Sequence, residues 1–130
     1  MTVQEFNDLG KKLEELLILR YSPIAMKLIW TEEDIPEGTL RPFRDRGDRL
    51  AMCQAYAMVR RNRKAITMLK ESHWCVWPLV SYGMVPLDED DYEYMGDKFF
   101  FRDKERSRRF LREEYPILKA EKKPIGFTLA

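Results

Sequence analysis

The hydrophobic pattern of this chain changes period at Pro23. Before it, Phe6, Leu9, Leu13, Leu16 and Leu17 recur at steps of three and four, the spacing of one helix face. After it, Ile24, Met26, Leu28 and Trp30 alternate with Ala25, Lys27 and Ile29, the spacing of a strand buried on at least one face. Proline cannot continue a helix, and it steers the residue before it away from helical backbone. The two patterns therefore stay separate elements. A chain that sets a helix beside a strand so early belongs to the α/β or α+β classes. Thr2 and Glu5 have the spacing of a capping box, which sets the start of the first helix.

The later segments extend that alternation. Residues 31–47 carry Pro36, Gly38, Pro42 and Gly47 and read as a long surface loop, a kind of segment that is often functional. Asp48 is placed to cap a second helix reaching residue 62. There Met52, Tyr56 and Val59 share one stripe with Cys53 beside it, so Cys53 is expected on or near the inward face. Residues 65–69 read as a second strand, and residues 72–75 as a turn. Residues 76–84 read as a short helix with Pro78 near its start and Gly83 near its end. The acidic run 86–97 reads as a loop, with 98–101 a short strand or more loop. Residues 103–115 form a charged helix, and 122–130 a strand that stops with the chain. No repeat or linker divides residues 1–130. The expected fold is one small domain, a mixed sheet with flanking helices.

Charge and hydropathy exclude some functions. The 23 basic and 22 acidic residues leave a formal net charge of +1, without the basic excess of a nucleic-acid binder. No apolar run approaches the roughly 20 residues of a membrane span. The polar N-terminus lacks the apolar stretch of a signal peptide, so the expected location is the cytoplasm. In a reducing compartment the two cysteines, Cys53 and Cys75, are expected free, metal-bound or redox-active rather than structural.

Chemistry-bearing residues concentrate in SHWCVWP, residues 72–78, which holds the only histidine, His73, with Cys75, Trp74 and Trp77. A helix packing back over the strand that follows it would bring Cys53 towards Cys75. Two thiolates suit iron–sulfur clusters, zinc or copper(I), with His73 as an assisting ligand. Two sulfurs do not fill a four-ligand site, so a partner chain or second copy would complete it. Alternatively the cysteines are packing groups, and Trp74, Trp77, Tyr56 and Lys27 line a pocket for a small anionic or planar ligand. A third reading is a reversible Cys53–Cys75 disulfide, which requires Cα atoms within ~7 Å. The basic runs 60–64 and 106–112 read as a helix end and a solvated, ion-paired face. No P-loop, dinucleotide fingerprint, zincin motif or nucleophile elbow occurs.

Three stretches in order, YSPIAMKLIW, DRLAMCQAYAMVRRNRKAITML and CVWPLVSYGM, resemble the DUF169 family of prokaryotic proteins, whose function is unassigned. The resemblance covers most of residues 13–84, and KKPIGFTLA is similar to a later family strand. It implies that Cys53 and Cys75 correspond to the family's two N-terminal cysteines and Lys27 to its strand lysine. The family's helix-ending glycine is Asn62 here, and bulky Val76, Trp77 and Pro78 follow Cys75. Family members are typically longer, which implies a truncated fold or a site completed by a partner.

Overall fold

A computed structural model describes residues 2–98, 102–115 and 121–130. The first helix, α1 (Val3–Leu17), starts where the sequence places it. Thr2 and Glu5 cap each other: the Glu5 N–H donates to Thr2 Oγ1 and the Thr2 N–H to Glu5 Oε2. Ile18 ends the helix in the left-handed region at φ 50°. Its apolar stripe is not buried in this chain, since Phe6, Leu9, Leu13, Leu16 and Leu17 are all exposed.

Three strands form the sheet: β1 (Met26–Ile29), β2 (Ile66–Leu69) and β3 (Gly126–Leu129), in the order β1-β3-β2. The last strand of the chain is the central one. It pairs antiparallel with both neighbours, Leu28 and Met68 each facing Phe127 and Met26 and Ile66 each facing Leu129. Ala25 and Ala130 exchange both backbone hydrogen bonds and extend the first pairing. The sheet is thus antiparallel throughout its named strands. Parallel pairing is confined to isolated bridges, Leu40 with Ile66 and Leu50 with His73. An apolar strand at the end of the sequence is explained by this placement, because every residue from Gly126 to Leu129 is buried.

Side chains alternate across the pleat. On one face Ile66, Met68, Phe127 and Leu129 pack with Ala55 and Val59 of α3 (Met52–Asn62), flanked by Met26 and Leu28. The other face carries a row of buried hydroxyls. Thr39 Oγ1 donates to the Pro36 carbonyl at 3.1 Å, and Thr67 Oγ1 lies 2.8 Å from both Thr39 Oγ1 and Thr128 Oγ1. A hydroxyl has one proton. Thr67 therefore donates to Thr39, and Thr128 donates to Thr67.

The 31–47 segment holds more structure than a loop: a 3-10 turn at Glu32–Asp34 and a short helix, α2 (Pro42–Arg46). Helix α3 begins later than Asp48 would set it, because Leu50 is taken into its bridge and Ala51 becomes the cap. Arg63 rather than Asn62 takes the left-handed position at its end. The short helix α4 (Val76–Ser81) follows β2.

The acidic run is not a loop. It forms α5 (Glu89–Gly96), which pairs with α6 (Lys104–Glu113). Two effects decide this. Asp88 caps the helix by accepting from the Asp91 N–H, and the first turn holds Glu89, Asp90 and Asp91, where the helix dipole favours anions. Acids at steps of four then meet bases on α6 at steps of four: Glu89 with Arg112, Glu93 with Arg108 at 2.7 Å, and Asp97 with Lys104 at 2.9 Å. Beneath the ion pairs Val80, Met95 and Leu111 make a second apolar cluster. Of residues 98–101, only Lys98 lies within the described structure.

The sheet closes tightly at Gly126. A Cβ there would lie 2.4 Å from the Met68 carbonyl oxygen, a backbone atom that cannot swing aside. Gly126→Ala is expected to lower stability by about 1–3 kcal/mol. The urea midpoint measures this, and an unchanged midpoint would show that the β2–β3 approach is looser than described.

Candidate functional site

The two cysteines lie at the starts of consecutive long and short helices, α3 and α4, and one residue ties the segments that lead into them. The Leu50 N–H donates to the Ser72 carbonyl at 2.8 Å, and the Trp74 N–H donates to the Leu50 carbonyl at 2.9 Å. Cys53 follows three residues after Leu50, as the second residue of α3. Cys75 follows one residue after Trp74, as the cap of α4. Both thiols are free; Cys53 is exposed and Cys75 half-buried. The exposure of Cys53 departs from its expected inward position. Helix α3 buries Ala55 and Val59, and a residue two positions before Ala55 lies about 200° round the helix.

His73 lies in the core. It is 7% exposed, its ring meets Phe127 edge-on at 5.3 Å, and neither ring nitrogen has a hydrogen-bond partner among the described residues. Burial lowers its pKa from 6.5 to about 4, so the ring is neutral at pH 7.

The other sequence candidates are dispersed. Trp74, next along an extended segment, points outward and is 78% exposed. Trp77 packs into the second cluster, edge-on to Tyr115 at 5.6 Å. Tyr56 packs against the first cluster, where burial raises its pKa. Lys27 alternates with the core-facing Met26 and Leu28, so it lies on the opposite face of the sheet from Tyr56. Its ammonium donates to the Asp34 carbonyl at 2.8 Å. The Asp34 carboxylate accepts the Thr31 and Trp30 N–H groups, which lower its pKa. Lys27, Tyr56, Trp74 and Trp77 therefore do not converge on one pocket.

Two concavities lie elsewhere. One, of about 260 Å³, is bordered by Glu32, Thr39, Arg41 and Arg44. The other, of about 560 Å³, sits at an end of the sheet and includes Glu32, Lys70 and Lys123. Glu32, common to both, is paired to Arg41 at 3.1 Å, and Arg41 Nε is buried without a partner among the described residues. Sequence reasoning passed over Lys70 and Lys123. The available signal was position, since each stands where a strand ends or is about to begin.

The chain was compared with known proteins. The family model DUF169, described as "Uncharacterised ArCR", matches residues 12–128. The chain belongs to the DUF169 family. The match runs well past residue 84, through α5 and α6 and into β3, so the family pattern reaches the central strand. No curated protein and no solved structure matches the chain. In this DUF169 protein no described helix is long and apolar enough to cross a membrane. Among the described residues no group of three or more histidine, cysteine, aspartate or glutamate side chains is placed to hold a metal ion.

The His73 environment sets a pH dependence for the metal-free chain. Between pH 6.5 and about 4 the unfolded state binds a proton that the folded state resists. The stability contributed by the neutral ring is complete above pH 6.5 and falls as pH drops through that window, by roughly 3 kcal/mol at most. Urea midpoints at pH 7 and pH 4.5 test this. His73→Leu is expected to flatten the difference and to match or exceed the parent at pH 7, because two unpartnered buried nitrogens are removed. An equal pH slope in both proteins would show that other groups govern the acid response.

Proposed function

We propose that this DUF169 chain holds a soft metal ion or an iron–sulfur cluster through Cys53 and Cys75. The observation that supports the reading is the Leu50 tie to Ser72 and Trp74, which links the segment leading into α3 with the segment leading into α4. Both thiols are free, Cys53 is exposed and Cys75 is not fully buried. Thiolates are the ligands that soft metals prefer. Iron–sulfur clusters and structural zinc sites take four such ligands. Two copies of this chain, each giving Cys53 and Cys75, meet that number, and a distinct partner chain with two ligands would do the same. His73 supports the tied segment by packing on Phe127 rather than ligating. The reading places the protein in the cytoplasm, where thiols stay reduced.

Anaerobic purification, reconstitution with iron and sulfide or with zinc or copper(I), metal analysis and native mass spectrometry test the proposal. The expected result is about one metal site per two chains. It should be lost in Cys53→Ala and in Cys75→Ala while the far-ultraviolet circular dichroism is kept. A colourless, metal-free protein after every reconstitution would overturn it. So would metal content unchanged in the double cysteine variant. An oxidised form lighter by two hydrogens and free of metal would replace the reading with a reversible disulfide.

A further inference from the structure

We propose that the cleft at the end of the sheet binds a small organic anion, independently of the thiols. Strands β1 and β2 run parallel to each other on either side of β3, and their C-terminal ends open into the same space where β3 begins. The segments that follow β1 and β2 and the segment that leads into β3 line this crevice. Here that crevice has a volume of about 560 Å³, within the range of small-molecule sites.

Its lining divides into an apolar floor and a charged rim. Leu69, Met84, Pro124 and Ile125 supply the floor, and Lys70 and Lys123 stand over it. Neither lysine has a carboxylate within ion-pair distance among the described residues. Glu32, on the same wall, is already held by Arg41. That leaves Glu71 against two ammonium groups, a net positive rim. The Lys123 side chain lies directly over Gly83, where a Cβ would come within 3.1 Å of its Cδ and Nζ. The absent side chain at position 83 thus leaves the room in which Lys123 lies at the cleft. An ammonium acts as a point charge for carboxylate or phosphate. An apolar floor beneath two such charges fits a molecule with a hydrocarbon or aromatic body and an anionic head.

The test is an amide-resolved NMR titration of the whole chain with phenyl phosphate, benzoate, inorganic phosphate and benzyl alcohol. Phenyl phosphate and benzoate are expected to shift the amides of Leu69, Lys70, Met84, Lys123 and Ile125. Inorganic phosphate, which lacks the body, and benzyl alcohol, which lacks the charge, should bind about tenfold more weakly or worse. Lys70→Ala and Lys123→Ala, both at exposed positions, should each weaken the aromatic anions about fivefold. Glu32→Gln should not weaken them, because it removes a negative charge from the wall. Cys53→Ala and Cys75→Ala should leave binding unchanged, which separates this site from the metal reading. The proposal is overturned by no shifts at about 10 mM of any probe, or by shifts confined to other residues. Affinity unchanged in the double lysine variant would also overturn it, as would inorganic phosphate binding as tightly as phenyl phosphate.

Discussion

The antiparallel pairing of β3 with both of its neighbours is the constraint on which the fold depends. Without β3, β1 and β2 have no strand between them, and the six apolar side chains on the core face of the sheet do not form a surface. The close approach of Gly126 to the Met68 backbone fixes how β3 enters. Both pairings join residues far apart in sequence, so the sheet closes only once the end of the chain is in place. The buried hydroxyl row on the other face follows from the same register. Thr67 and Thr128 are direct cross-strand partners, and the direction of their hydrogen bonds is set by Thr39 and Pro36 at one edge.

Helix α4 connects this sheet to the rest of the molecule. Val80 and Trp77 belong to the cluster shared with α5 and α6, while Tyr82, just beyond the helix, packs on the sheet core against Phe127. The α5–α6 pair is held by its own apolar cluster and by three ion pairs on the surface. Exposed pairs of this kind contribute little each. Their clearer role is register, because acids and bases at matching four-residue steps align in one antiparallel offset. Cys75 caps the helix that joins the two clusters, so its position is fixed from both sides.

Several elements were legible from period alone. The first helix, the strands at Met26 and Ile66, the α3 helix and the charged α6 helix follow from local pattern, and the order of stretches sufficed for the family. What escaped was set by partners distant in sequence. The acidic run reads as loop because its neutralising bases lie on α6. Cys53 reads as inward because its stripe is ambiguous until Ala55 and Val59 are seen to take the buried positions. The last strand looks unsupported until it is placed in the middle. The positions of Lys27, Tyr56 and the tryptophans are likewise set by tertiary structure: strand alternation separates Lys27 from Tyr56, and Trp74 is exposed while Trp77 packs into the second cluster. The candidate thiol site was legible as residue types. Its neighbourhood depends on the Leu50 bridge, a single backbone pairing that no periodicity marks.

The concentration of rare side chains in residues 72–78 has a structural cause. This segment leaves the sheet edge at Ser72, crosses the core at His73 and reaches the second cluster at Trp77 within a few residues. A short path through three environments needs a different large or polar side chain at almost every step. His73 fills space against Phe127, Trp74 turns outward and Trp77 meets Tyr115. Cys75 is the exception in that series. It is only half-buried, and it marks the change from extended chain to helix. Its neighbour through the Leu50 tie is the segment leading to the other cysteine. His73 and Trp77 thus each have a packing partner, Trp74 faces outward, and the link between this segment and α3 runs through the Leu50 tie.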